Sequence, residues 1–167
     1  MERKTLRFGI LTISDRSSRG ERPDLSGPAL VELVKHQGWQ VVRSAILPDD
    51  LDKLRENLSG WADSGVMDVL LTTGGTGFAP RDVTPEATRL VIDREAPGLS
   101  EAMRMESMKK TSHSMLSRSV AGIRGKVIII NLPGNPSGAV ESLQVVLPVL
   151  VHAVEILQED PDAEKNH

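Results

Sequence analysis

Along this chain, apolar runs of strand length each end abruptly in polar segments that contain glycine or proline. Leu6 to Ile13, LRFGILTI, is rich in apolar and β-branched residues and lacks the alternation of a half-exposed strand, so it reads as a parallel strand covered on both faces. Trp39 to Leu47 and Val66 to Thr73 read as a second and a third strand. Lys126 to Leu132, KVIIINL, is the clearest buried strand of all. Between the strands the period changes to helical. Leu30, Val31, Leu33 and Val34 form one apolar face that stops at Gly38, and Leu51, Leu54, Leu58 and Trp61 form another that stops at Gly65. Strands each followed by a helix predict right-handed βαβ units. The expected fold is therefore a three-layer α/β domain, with a mostly parallel sheet and helices on both of its faces.

Further on, a helix opens at Thr84 and a second helical stretch runs to about Lys110, carrying Met103, Met105 and Met108. Methionines at this spacing suit flexible packing or a subunit contact, and Lys109-Lys110 reads as a solvated helix end. Thr111 to Arg124 is hydroxyl-rich and reads as a hairpin or an extended excursion. Val140 to Leu157 is helical and apolar, interrupted or kinked at Pro148. Residues 1–157 are expected to form one domain, and the polar stretch 158–167 a disordered tail.

Composition narrows the function classes. A length of 167 residues suits a single domain that buries roughly 70% of its unfolded surface. The absence of cysteine excludes disulfides, thiolate metal sites and a cysteine nucleophile. Net charge is −3 with the signs mixed, so no cationic field marks a nucleic-acid binder, and any phosphate site has to be local. Aromatic residues make up 2% of the chain, too few for a base-stacking platform. No signal-peptide core and no run of 18 apolar residues is present, which points to the cytoplasm and away from a membrane.

The candidate chemistry centres on Val69 to Thr88, VLLTTGGTGFAPRDVTPEAT. Gly74, Gly75 and Gly77 flank Thr76 in a loop whose N–H groups can converge on an anion. Thr84 suits an N-cap, Pro85 the first helical turn, and the helix N-terminus adds positive partial charge. A carboxylate beside a phosphate repels it unless a cation lies between them, so Asp82 points to Mg²⁺, and Arg81 can neutralise an anion directly. A glycine pair alone would mark only a tight turn; the added Thr, third Gly, Arg-Asp pair and helix opening favour an anion site.

Other strand ends add to it. Ser14, Asp15 and Arg16 follow the first strand, where open α/β sheets bind ligands, although the same residues suit a solvated loop. Asp49 and Asp50 follow the second strand. They serve either as a helix cap with a first-turn charge, or Asp49 faces the same cleft as Asp82, so that the two carboxylates hold Mg²⁺ or deprotonate an attacking group. Pro133-Gly134-Asn135-Pro136 opens a second glycine-containing loop that would enclose a cleft with the first. Ser117 and Arg118 can donate to an anion. His113 has no metal-ligand spacing with His36, His152 or His167. The dinucleotide fingerprint and the Walker A pattern are both absent.

Taken together, Ser14-Asp15-Arg16, Asp24 with Ser26-Gly27-Pro28, Pro48-Asp49, GGTGFAPRDVTPEAT, Met115-Leu116-Ser117-Arg118 and Asn131 through Pro136 resemble the molybdopterin adenylyltransferases. These are the bacterial Mog proteins and the G domains of plant and animal relatives such as gephyrin. The resemblance spans about residues 5 to 157. It implies a molybdopterin-binding, Rossmann-like fold and transfer of AMP from ATP to molybdopterin, with release of pyrophosphate, in molybdenum cofactor biosynthesis. It further implies Asp49 and Asp82 as Mg²⁺-linked catalytic acids. Gly75 and Thr76 would meet phosphate; Ser14, Asp15, Ser107, Ser117, Asn131 and Pro133 would contact pterin or nucleotide. Gly74, Gly77, Arg81 and Gly134 complete the expected substrate-binding set. A homotrimer and a downstream molybdenum insertase are implied partners. Two alternatives share the same anion site: a non-catalytic pterin carrier or scaffold, and a nucleotide pyrophosphatase, which the Arg81-Asp82 context disfavours.

Overall fold

The computed structural model describes residues 4–161 and 163. In chain order the elements are β1 (Arg7–Ile13), the single turn α1 (Asp15–Ser18), α2 (Ser26–His36), β2 (Gln40–Leu47), α3 (Leu51–Asp63), β3 (Val69–Thr73), α4 (Thr84–Val91) and β4 (Arg94–Glu95). Then come α5 (Pro97–Met108), a 3-10 turn over Ser112–Leu116, β5 (Ala121–Arg124), β6 (Val127–Leu132) and α6 (Pro136–Leu157). The strands form one sheet in the order β2-β1-β3-β6-β5-β4. β2, β1, β3 and β6 are mutually parallel, while β5 pairs antiparallel with β6 and β4 antiparallel with β5.

The uninterrupted apolar runs follow from burial on both sheet faces. Along β3 and β6, Leu71, Ile128 and Ile130 point to the face covered by α2, α5 and α6. Their neighbours Leu70 and Ile129 point to the face covered by α3 and α4. Each layer removes apolar surface from water at about 25 cal/mol per Å². β2 lies at the sheet edge and is mostly exposed or half-buried, as its mixed composition allows.

α6 continues through Pro148 as one helix, so the interruption that the sequence allowed there does not occur. Its length and hydropathy would suffice to cross a membrane, and its Ala139, Leu143, Val146, Leu150 and Val154 belong to the core against β1, β3 and β6. Of the helical methionines Met103 is buried, while Met105 and Met108 are exposed. Thr111 to Arg124 resolves into the 3-10 turn followed by β5, which forms a hairpin with β6. In the stretch 158–167, Gln158 donates to Asp68 at 2.9 Å and Asp160 pairs with Lys4 at 3.8 Å. Residues 162 and 164–167 of that expected tail lie outside the described residues.

Strand register sets up the site. Ile13 pairs with Leu47, Thr12 with Thr73, and Thr73 with Leu132, so four parallel strands end at one level. The residues that follow them, from Ser14, Pro48, Gly74 and Pro133 onward, share one rim of the sheet. β1 and β3 are also where the strand order reverses, the switch point at which open α/β sheets form ligand crevices.

Candidate active site

The glycine loop has to pass between two strand ends, and that explains its first two residues. Gly74 has φ +108°, its N–H donates to Leu132 O at 3.1 Å, and a Cβ there would run into the carbonyl oxygen of Ile13. Gly75 has φ +66°; a Cβ there would strike the Thr84 hydroxyl and lie 2.9 Å from Asp49 Oδ1. Glycine tolerates both conformations without a steric penalty.

Thr84 does not cap α4 as the sequence suggested. It is the first residue of the helix, and its hydroxyl donates to Gly74 O at 2.9 Å while its N–H donates to Gly75 O at 3.1 Å. The helix start thus anchors the loop. Arg118 likewise departs from the anion-donor role suggested for it. Its Nε donates to Gly77 O at 2.7 Å, its Nη2 to Asp82 O at 2.8 Å, and its Nη1 pairs with Glu86. With Arg118 N–H on Thr76 O at 2.9 Å, this side chain clamps the loop and leaves little guanidinium for a ligand.

The two aspartates after β2 divide the roles that the sequence left open. Asp50 is the N-cap of α3, accepting from Lys53 N–H at 3.0 Å. Asp49 turns to the cleft and exchanges bonds with Asp15: the N–H of Asp15 reaches Asp49 Oδ2 at 3.1 Å, and the N–H of Asp49 reaches Asp15 Oδ1 at 3.1 Å. Arg81 grips Asp15 through Nε at 2.6 Å and Nη2 at 2.9 Å, and also donates to Asp49 O at 3.0 Å. The bidentate guanidinium, ahead of smaller effects, holds the Asp15 carboxyl below the usual range. Burial pushes Asp49 the other way; the neighbouring charges of Asp15 and Asp82 add to the rise, against the N–H of Asp15 and the charge of Arg81.

Asp82 sits across the loop, accepting from Ala79 N–H at 3.0 Å. Asp49 and Asp82 therefore face one space with an excess of negative charge, which a divalent cation would relieve. Among the described residues no group of three or more His, Asp or Glu side chains is placed to hold a metal ion alone. Two carboxylates with open coordination fit Mg²⁺, which keeps waters and takes substrate phosphate oxygens.

Around this junction lie two adjoining hollows. One, of about 580 Å³, is lined by Ser14, Asp15, Asp49, Asp82, Gly74, Gly75 and Gly134. The other, of about 400 Å³, is lined by Thr76, Gly77, Ser107, Ser117, Asn131 and Pro133. Every expected site residue except Arg81, which is bonded to Asp15, lines one hollow or the other. Asn131 is nevertheless spent internally. It is 0% exposed, accepts from Val120 N–H at 3.1 Å and donates to Thr72 Oγ1 at 3.0 Å and Thr88 Oγ1 at 2.9 Å, so its amide ties β3, α4 and β6 together.

Three residues here were not among the expected site residues, although Asn135 and Asp24 stood in the motifs that carried the resemblance. Asn135 lines both hollows and caps α6, its Oδ1 accepting from Gly138 N–H at 2.7 Å; the Asn-Pro pair before an apolar helix carried that signal. Asp24 lines the larger hollow, accepting from Thr12 Oγ1 at 2.7 Å and Gly27 N–H at 3.0 Å. Arg104 holds the carbonyls of Ser117 and Ser119 at 3.0 and 3.1 Å, and no local pattern announces it.

Comparison with known proteins gives a consistent picture. Residues 9–152 match a family described as a probable molybdopterin binding domain. The chain is 43% identical over 159 residues to the molybdenum cofactor synthesis protein cinnamon of Drosophila melanogaster, an alignment covering 94% of this chain and 26% of that one. It thus spans about a quarter of cinnamon's length. It is 40% identical over 156 residues to molybdopterin adenylyltransferase of Helicobacter pylori, covering 92% of this chain and 89% of that one. Among solved structures, the molybdopterin biosynthesis enzyme MoaB from Thermus thermophilus superposes with a TM-score of 0.88 at 48% identity, covering 94% of this chain and 99% of that one.

Proposed function

The chain belongs to the molybdopterin-binding domain family, and we propose that it is a molybdopterin adenylyltransferase acting in molybdenum cofactor biosynthesis. A terminal phosphate oxygen of molybdopterin attacks the α-phosphorus of ATP. The new P–O bond forms as the bond from that phosphorus to the bridging oxygen breaks, and the electron pair leaves on pyrophosphate. The observation that carries this reading is the meeting of Asp49 and Asp82, from two different strand ends, beside a glycine loop where two hollows adjoin.

Each group then has a task. The larger hollow takes the nucleotide and the smaller one the pterin, so that the reacting phosphates converge at Gly75 and Thr76. Loop N–H groups receive phosphate oxygens, and fixed donors of this kind cost no reorganisation when charge shifts. Mg²⁺ bound by Asp49 and Asp82 would screen the two phosphates from each other and stabilise the leaving pyrophosphate. Arg81 fixes Asp15, and through it the direction in which Asp49 points. Holding two anions in attack geometry is itself worth several powers of ten in rate.

The same reading makes the working form a cytoplasmic homotrimer that hands its product to a molybdenum insertase. The exposed Met105 and Met108 on α5 support a subunit contact.

The test is pyrophosphate release by purified protein with ATP and Mg²⁺, with and without molybdopterin, with the product followed by mass spectrometry. Adenylylated pterin that requires both substrates, and is lost in Asp82→Asn while pterin binding persists, is the expected result. Full turnover in Asp82→Asn would overturn the catalytic assignment. Pterin binding without any product would make the protein a carrier, and pyrophosphate release without pterin a nucleotide pyrophosphatase.

A further inference from the structure

The smaller hollow has charged groups on the side it shares with a second groove, one that no glycine-loop residue lines, and the reaction does not explain their purpose. Lys110, just past α5, and Glu141, early in α6, pair at 2.8 Å. Both line the smaller hollow, and both also line a groove of about 390 Å³ between α5 and α6, so the pair forms part of the wall between the two spaces. Their side chains are 61% and 47% exposed, and an ion pair that open contributes little to the fold. The other charged groups nearby are committed elsewhere. Arg104 is bonded to the Ser117 and Ser119 carbonyls, and Lys109 is paired with Glu106 at 2.6 Å.

We infer that Glu141 and Lys110 recognise the 2-amino-4-oxo edge of the pterin ring. This inference rests on the adenylyltransferase reading and adds to it the residues that choose the substrate. Thr76 and Gly77 of the glycine loop also line the smaller hollow, and on the adenylyltransferase reading the reacting phosphate lies beside them. A substrate that carries its phosphate at one end places its ring system toward the other end, beside Lys110 and Glu141. The pterin edge there presents two adjacent donors, N3–H and the 2-amino N–H, with the acceptor O4 beside them. A carboxylate takes two parallel N–H donors as it takes a guanidinium fork, and an ammonium beside it donates to the carbonyl oxygen. In the free protein Lys110 and Glu141 satisfy each other; in the complex each turns to the matching group of the ring. The gain is selectivity, because a ring without the 2-amino donor leaves the carboxylate half-paired.

The experiment compares pterin with lumazine, which has an oxo group in place of the 2-amino group. Ligand-observed NMR detects weak complexes of both probes with the full chain, in wild type and in Glu141→Gln and Lys110→Met. Wild type is expected to prefer pterin by roughly 10- to 100-fold, the range of one bidentate contact. Glu141→Gln should lose most of that preference, Lys110→Met should weaken both probes alike, and in turnover the KM for molybdopterin should rise while the KM for ATP does not. Equal binding of pterin and lumazine by wild type, or an undiminished preference in Glu141→Gln, overturns the inference and leaves the adenylyltransferase reading intact. Failure of wild type to bind either probe, with no molybdopterin turnover, overturns both.

Discussion

Replacing Asn131 with alanine separates a ligand contact from a structural tie. The side chain is fully buried and makes three hydrogen bonds, from Val120 N–H and to the hydroxyls of Thr72 and Thr88. Alanine leaves the Val120 N–H buried without its acceptor, a loss of about 1–3 kcal/mol. The two bonds to hydroxyls add about 0.5–1.5 kcal/mol each, softened because Thr88 keeps its own bond to Thr84 O at 2.9 Å. A total of about 3 kcal/mol corresponds to a fall in Tm of roughly 6–12 °C for a chain of this size. Calorimetry gives the Tm, and urea unfolding at an unchanged m-value confirms that stability is what has moved. Turnover assayed well below the new Tm should fall less than the stability loss suggests. A Tm within about 2 °C of wild type, together with a KM for molybdopterin raised about tenfold, would refute this reasoning and make Asn131 a substrate contact.

Two further outcomes follow from the geometry. Asp49 has a carboxyl pushed up by burial and by neighbouring carboxylates, so its charged form weakens the ligand-free fold above its own raised pKa. Asp49→Asn should therefore abolish turnover yet raise the Tm at neutral pH. That gain should vanish as pH falls below the ordinary aspartate range, where both states are protonated in wild type; a gain that stays constant with pH would contradict the account. Gly75→Ala forces a side chain into φ +66° against the Thr84 hydroxyl and Asp49. It should cost about 1–2 kcal/mol from the backbone alone, plus displacement of the loop, and activity within twofold of wild type at unchanged Tm would count against the tight passage described here.

The parts legible in the sequence were those where one local pattern decides the outcome. LRFGILTI and KVIIINL could be little other than strands buried on both sides, and the glycine loop announced itself by composition. β5 was not legible as a strand, because AGIR has no apolar run and owes its conformation to pairing with β6. Local pattern alone did not divide Asp49 from Asp50, although the resemblance singled out Asp49. Both suit a cap, and only the backbone at the end of β2 turns one carboxylate to the helix and the other to the cleft. Arg118 looked like an anion donor because its partners are carbonyls some forty positions away, which have no signature in side-chain chemistry. Asn131 belonged to the expected motif, yet the tie it makes reaches Thr72 and Thr88 on other elements.

The convergence of strand ends also sets when the cleft comes into being. β6 follows β1, β2 and β3 in the chain, yet it occupies the sheet's interior between β3 and β5. Until it inserts, Gly74 N–H lacks Leu132 O, the Thr73 hydroxyl lacks Pro133 O at 2.7 Å, and the rim that carries Gly134 and Asn135 is missing. A nascent chain emerging from the ribosome therefore holds three of the four parallel strands and the glycine loop, but the cleft lacks one wall until β6 has been made. Conversely, a ligand that binds only the closed rim adds stability to the whole sheet, about 2.7 kcal/mol at a concentration one hundred times its Kd. The availability of substrate in the cell would then influence how long each copy of this protein survives quality control.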